Sequence, residues 1–399
     1  MDFAWNEEQQ AFRREVIRFA QEELNDNLIE RDLHEEFSWD AWRKCAKFGI
    51  QGLPVPQEYG GGDADILTTV CGLEALGYGC RDNGLIFSIN AHMWTSEIPI
   101  LHFGTEAQKK KYLPKLVSGE WIGLHAMTEP MSGSDAFSML SRAERKGDRY
   151  VINGSKTFIT NAQNAEVIII FANLDPEKGA GGITAFLVDK DTPGFSISKK
   201  LHKMGLRTSP MAELSLVDVE VPVENLLGRE GGGQVIFTVS MEWERICIMA
   251  SHLGAMQRML ETSVKYAKER RQFGQPIGNF APISTKIADM DIRLETARLV
   301  LYKAAWLKSQ GRHALREGSI AKAYVADACI QSCLDAIQIH GGYGYMTEYQ
   351  IERELRDAIS GKIYSGTTEI QKKIIAGFHG VSDVAPAAPP AIPARREQG

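Results

Sequence analysis

From Gln234 onward the chain keeps helical spacing through four long segments, Val235–Arg271, Pro282–Gln310, His313–Ile339 and Glu348–Gly377, joined by short connections. Short connections make neighbouring helices antiparallel, and each helix must hide its apolar stripe against the others. The pattern predicts a four-helix bundle over 231–380.

Ahead of the bundle the texture is different. Tyr150–Thr160 alternates around Asn153-Gly154, which predicts a hairpin turning at that dipeptide. β-Branched stretches follow at Ala165–Phe171, Gly182–Asp189, Phe195–Ser198 and Ala212–Val221, bounded by Gly, Pro and Asp. They predict a β-barrel or sandwich domain over 121–230. The first 120 residues carry helix signals instead. Asn6 precedes Glu7-Glu8-Gln9, with Phe12, Val16, Ile17, Phe19 and Leu24 at helical spacing; Ser38 and Thr105 suit further N-caps, and Gly49 suits a stop. Residues 381–399 hold repeated Pro and Ala with little to bury and read as a disordered tail. The fold class expected is α+β: an N-terminal α domain (1–120), a middle β domain (121–230) and a C-terminal four-helix bundle (231–380).

Charge narrows the function classes. The 399 residues carry 45 Lys+Arg against 51 Asp+Glu, a net charge of −6, so no basic excess points to nucleic acid as the principal partner. The best apolar run, Val167–Ala172, has strand length and is far short of a membrane span. The acidic N-terminus lacks signal-peptide order, and a cytoplasmic protein is expected. The six cysteines, Cys45, Cys71, Cys80, Cys247, Cys329 and Cys333, form no CxxC or clustered metal-ligand pattern, and read as small apolar core residues.

Four places carry chemistry. Arg270-Arg271-Gln272-Phe273-Gly274 puts paired guanidinium groups at the end of a helix, where they suit phosphate or simply complement the helix dipole. His340-Gly341-Gly342-Tyr343-Gly344 is either an open, amide-rich turn for a ligand or a plain interhelical turn. Thr128-Glu129-Pro130 through Asp135, with Phe158-Ile159-Thr160-Asn161, gathers hydroxyls, amides and an aromatic ring near one sheet, suited to a flat heteroaromatic ligand. Glu242-Trp243-Glu244-Arg245 sits in an otherwise apolar helix. A carboxylate there is either half of a structural ion pair or a functional base.

In order along residues 3–380, six motifs resemble the acyl-CoA dehydrogenase superfamily of FAD flavoproteins. They are Pro54-Val-Pro-Gln-Glu-Tyr-Gly-Gly61, Met127-Thr-Glu-Pro-Met-Ser-Gly-Ser-Asp135, Asn153-Gly-Ser-Lys-Thr-Phe-Ile-Thr-Asn161, Arg270-Arg-Gln-Phe-Gly-Gln-Pro-Ile277, Gln338-Ile-His-Gly-Gly-Tyr-Gly344 and Gly366-Thr-Thr-Glu-Ile-Gln371. The resemblance implies α,β-dehydrogenation of an acyl thioester. A carboxylate takes the α proton while a hydride leaves the β carbon for flavin N5, and a backbone N–H helps hold the thioester oxygen.

Residue by residue, the resemblance implies that Met127, Thr128 and Ser134 contact flavin or thioester and that Phe158, Ile159 and Thr160 line the flavin ring. Arg271, Phe273, Gln338, Gly341 and Gly342 would serve the pyrophosphate and adenosine half of FAD, reaching across from a neighbouring subunit of a homotetramer or dimer. Thr367 and Glu369 would lie near the adenosine or ring. Many members carry the base just before the last Gly-Thr, where this chain has Ser365. Isovaleryl- and long-chain-type members place it as Glu-Arg on the first bundle helix, which Glu244-Arg245 matches, with Arg245, Ser365 and Gly366 beside the substrate. Phe158 replaces a commoner Trp, Met131 a usual Gly, and Ala281 a frequent Gln. Gly79-Cys-Arg-Asp-Asn-Gly-Leu85 and Glu242–Arg245 also resemble members acting on acyl or aminoacyl groups tethered to carrier proteins, such as prolyl thioesters. Expected partners are a CoA- or carrier-linked thioester and electron-transfer flavoprotein or oxygen as acceptor. A flavin oxidase and a non-catalytic thioester-binding scaffold are the competing readings.

Overall fold

A computed structural model of the chain describes residues 5–381. It opens with helices α1 (Glu7–Glu23), α2 (Leu28–His34), α3 (Trp39–Phe48), α4 (Ile66–Gly79), α5 (Asn83–His92), α6 (Ile98–Phe103) and α7 (Glu106–Val117). Their starts follow from capping chemistry. Asn6 accepts from Gln9 N while the Gln9 side chain bonds back, and Thr105 and Gln108 do the same for α7. Ser38 caps α3, which stops at Gly49.

An eight-stranded sheet follows: β1 (Gly123–Ala126), β2 (Arg142–Lys146), β3 (Arg149–Thr160), β4 (Val167–Asn173), β5 (Ile183–Asp189), β6 (Phe195–Lys200), β7 (Met211–Pro222) and β8 (Leu226–Leu227). Its order is β6-β7-β3-β2-β4-β5-β8, with β1 parallel to β4. Every residue of β4 is buried because both faces are covered. Ile168, Ile170 and Ala172 face a core with Ile152 and Phe186, while Val167, Ile169 and Phe171 face a second core with Tyr112, Leu116 and Ile236. The second core joins the sheet to the helices on either side of it in sequence.

The hairpin expected at Asn153-Gly154 is not there. β3 runs through the dipeptide unbroken, and its register against β7 shifts between Ile152 and Gly154. The Asn153 side chain spends its amide on Asp218, donating to its carboxylate and accepting its N–H. A Cβ on Gly154 would lie 2.2 Å from Ser141 Oγ, so the glycine serves close approach in a bulge. The tight turn falls six residues earlier, between Lys146 and Arg149, with Gly147 at φ +66°.

The bundle is α8 (Gly233–Glu269), then a short hairpin of β9 (Arg271–Gln272) and β10 (Gln275–Pro276), then α9 (Ala281–Ser309), α10 (Leu315–His340), α11 (Ile351–Ile359) and α12 (Thr368–Gly377). The fourth long segment expected over 348–377 is therefore two helices. Ser365 (φ +55°) and Gly366 (φ +84°) are consecutive left-handed residues, which no α-helix can absorb, and Thr367 caps the restart by accepting from Ile370 N. The bundle shares one continuous core with the N-terminal helices, from Val16 and Leu73 through Ile248 and Leu253 to Leu301 and Val325. All six cysteines are buried and free, and five of them, all but Cys71, belong to this core.

Fold class matches the expectation: helices, sheet, then bundle. The tail read over 381–399 lies, beyond Val381, outside the described residues. Among those described, no helix is long and apolar enough to cross a membrane.

Candidate active site

Glu244 sits on α8 among Ile246, Ile248 and Met249, all buried, and is itself only 6% exposed. Its Oε1 accepts a hydrogen bond from Ser365 Oγ at 2.7 Å. Oε2 is buried and has no partner among the described residues. Burial pushes the Glu244 carboxyl up to about 7, against the Ser365 hydroxyl and the charges of Arg245 and Lys322, which favour the ionised form.

Arg245 does not pair with it. Its Nε instead donates to the Ser365 carbonyl at 3.1 Å, so the ion-pair alternative for Glu244-Arg245 fails. Lys322, fully buried on α10, donates to the Gly366 carbonyl at 2.7 Å. Burial, followed by the nearby Arg245 charge, brings the Lys322 ammonium down to about 7. Gln371 Nε2 reaches both carbonyls, at 3.0 and 2.8 Å. Three side chains thus hold the two carbonyls of the Ser365-Gly366 turn on one side. The Ser365 N–H meets no backbone acceptor among the described residues. Sequence reading missed Lys322 and Gln371. A lysine between Ala321 and Ala323, in step with Gly318 and Val325 on one stripe, is the same buried-charge signal that singled out Glu244.

A cavity lies one helical turn beyond Glu244, lined by Phe87, Ile248, Ser251, His252, Asp357 and Tyr364 among others. The Tyr364 hydroxyl bonds His252 Nε2 at 3.2 Å, and the Phe87 ring packs on Tyr364 at 4.9 Å.

The sheet meets α8 ahead of Glu244. His125 on β1 and Phe137 pack on Phe237 at 5.6 and 5.9 Å between ring centroids. The chain leaving β1 carries buried Met127 and half-buried Thr128, whose carbonyl accepts from Thr157 N at 3.0 Å. Lys156, fully buried, donates to Met127 O at 3.2 Å and to Glu129 Oε1 at 2.8 Å. Ser134 is exposed on the following loop. At the end of β3, Ile159 is buried and Thr160 half-buried, while Phe158, at φ +57°, leaves its ring 63% exposed. Met127–Thr128 and Phe158–Thr160 are thus brought to one place on the sheet, as expected.

Arg271 and its companions are elsewhere. Arg271 lies past the end of α8, on β9, exposed, with one guanidinium nitrogen donating to Gly274 O at 2.7 Å. Phe273, at φ +50°, is 93% exposed. The Arg270 guanidinium lies 5.7 Å from the Tyr343 ring, so this hairpin and the exposed Gln338, Gly341 and Gly342 share one end of the bundle. A Cβ on Gly341 or Gly342 would meet nothing within 4 Å, so packing within the chain does not call for either glycine. That end is about 38 Å of helix away from Glu244. Thr367 caps α12 beside the Ser365-Gly366 turn, and Glu369 is exposed on that helix.

The arrangement offers an unpartnered buried carboxylate oxygen, a free N–H beside it, an exposed aromatic face with hydroxyls, and a separate cationic and aromatic end. Family models match every layer: "Acyl-CoA dehydrogenase, N-terminal domain" over 6–120, "middle domain" over 125–219 and "C-terminal domain" over 231–378. An "Acyl-CoA dehydrogenase" of Bacillus subtilis (strain 168) is 44% identical, covering 93% of this chain and 98% of its own length. The crystal structure of the prolyl acyl carrier protein oxidase AnaB superposes with a TM-score of 0.93 at 52% identity, over 94% of this chain and all of that one. A structure of PigA with FAD and proline gives 0.94 at 40% identity, over 96% and 100%. The motifs, the three layers and these relatives agree, and the chain belongs to the acyl-CoA dehydrogenase family.

Proposed function

We propose that the chain is an FAD-dependent dehydrogenase of acyl thioesters in which Glu244 takes the α proton. The Glu244 carboxyl carries this reading: one oxygen is held, the other is buried and unspent, and its pKa sits at about 7. A base poised near the working pH combines a large ionised fraction with enough basicity. Oε2 receives the proton, and the electron pair of the broken Cα–H bond becomes the new Cα–Cβ π bond as hydride leaves Cβ. The Ser365 N–H, its carbonyl tied back by Arg245 and Gln371, is free to donate to the thioester oxygen as negative charge gathers there. The cavity beyond Glu244 would take the acyl end.

The residues present fit FAD. Phe158 offers an aromatic face, half-buried Thr160 follows it on β3 and Thr128 is bonded to the neighbouring Thr157, and Arg271 keeps guanidinium N–H groups that Gly274 does not use. When bound, the flavin supplies the acceptor for the β hydride. Met127, Thr128, Ser134, Phe158, Ile159 and Thr160 would hold the ring half, with Thr367 and Glu369 nearby. Arg271, Phe273, Gln338, Gly341 and Gly342 would hold the pyrophosphate and adenosine half. Lying at the end of the bundle about 38 Å of helix from Glu244, this second group would serve a neighbouring copy, making the protein a dimer or homotetramer.

The 52% identity to a prolyl carrier protein oxidase supports a second reading of the substrate, an acyl or aminoacyl group on a carrier protein instead of CoA. Anaerobic flavin bleaching by a panel of CoA-linked and carrier-linked acyl groups tests both. Bleaching by none of them would refute the dehydrogenase reading. Peroxide formation during turnover in air distinguishes oxygen from electron-transfer flavoprotein as acceptor.

A further inference from the structure

We infer that Ser365 is the positioning residue of the base: its hydroxyl occupies one oxygen of Glu244, leaves the other as the single reacting oxygen, and biases the carboxyl toward its ionised form. The inference rests on the reading of Glu244 as base. A hydroxyl that donates to a carboxylate stabilises the charge, and here the 2.7 Å bond links α8 to a turn 121 residues away. The turn is built to keep that hydroxyl in place. Ser365 adopts a left-handed conformation that L-residues disfavour, and the turn is fixed by Arg245 and Gln371 at the Ser365 carbonyl and by Lys322 and Gln371 at the Gly366 carbonyl.

The other charged and titratable groups around the carboxyl are fixed in their own ways. Arg245 lies on the same helix, and Glu242, one position before Trp243, is paired with Lys308 of α9. Lys322 comes from α10, where Asp327 and Glu369 of α12 act on it in turn, and Tyr364 approaches from the turn itself. Among the described residues Ser365 is the group that hydrogen-bonds Glu244 directly. Arg245 and Lys322 act on it through their charge.

The test compares Ser365→Gly with Ser365→Ala in the FAD-loaded protein. Both lose the hydroxyl, but Gly accepts the left-handed backbone and Ala does not. Two quantities are read: the pH profile of anaerobic flavin bleaching, and the titration of the Glu244 carboxyl by infrared difference spectroscopy without substrate, assigned with Glu244→Gln. Both variants should move the acid limb and the carboxyl titration upward by about one pH unit, so that bleaching slows about tenfold well below the midpoint and recovers at high pH. An unmoved titration in both variants would overturn the inference, as would a shift in Ala alone or a pH-independent loss of rate. A wild-type rate in Glu244→Gln is a different outcome: it removes the base assignment itself.

Discussion

Lys156 and Glu129, both buried, meet at 2.8 Å beneath the Met127–Ser134 loop, and each has a second task. Lys156 also holds the Met127 carbonyl, and Glu129 accepts the N–H groups of Leu140 and Ser141. Removing one partner strands a buried charge, at a cost of about 3–5 kcal/mol. Lys156→Met should therefore lower the unfolding midpoint and loosen flavin retention together, read by thermal melts and FAD content. Burial alone would raise the Glu129 carboxyl, but Lys156, Ser141 and the Leu140 N–H hold it below the usual range. Its folded pKa is depressed, so the stability it contributes is present above the unfolded value near 4.5 and lost as pH falls through the folded one.

Two histidines should add a second acid-sensitive window. Burial, with help from Lys156, brings His125 down to about 4; burial also brings His252 to about 4, although the Ile248 carbonyl opposes it. Between that value and the unfolded 6.5 the unfolded chain binds more protons, so stability falls as pH drops across this range, by up to about 3 kcal/mol per histidine. His125→Phe, placed between Phe171 and Phe237, should flatten part of this slope in melts taken from pH 7 to 4. An unchanged slope would show that His125 titrates normally.

Arg271→Ala should weaken FAD retention, measured as flavin absorbance after gel filtration. Unchanged occupancy would leave Arg271 as no more than a local bond to Gly274.

Because Arg271 lies past the C-terminal end of α8, about 38 Å of helix from Glu244, a site that uses both needs at least two copies. Sedimentation should show a dimer or tetramer. Co-refolded Glu244→Gln and Arg271→Ala chains, at limiting FAD, should recover activity that neither has alone. A fully active monomer, or no recovery on mixing, would contradict sharing between subunits.

How much of this was legible in the sequence depends on the range of the interaction. Caps at Asn6, Ser38 and Thr105 are local, and each is realised where the spacing placed it. Glu244 stood out because a carboxylate on an apolar stripe needs a reason to be buried. Asn153-Gly154 misled because a bulge and a tight turn both favour residues that tolerate positive or unusual φ; only the Asp218 and Ser141 contacts decide between them. The break at Ser365-Gly366 was hidden because the helices on both sides keep apolar periodicity. The Ser365–Glu244 bond had no local signal, since its partners are distant in sequence and joined only by the packing of α8 against the final turn.

The most direct measurement is the rate of anaerobic FAD bleaching in Glu244→Gln against wild type. Gln keeps the size of the side chain and its contact with Ser365 but cannot take a proton. Loss of a general base is worth about 10²–10⁴ in rate, so bleaching should slow by at least the lower factor, with FAD content and ligand binding little changed. In the wild type the rate should fall as pH drops below about 7, where Glu244 protonates. Wild-type bleaching by Glu244→Gln would place the base elsewhere and contradict the account.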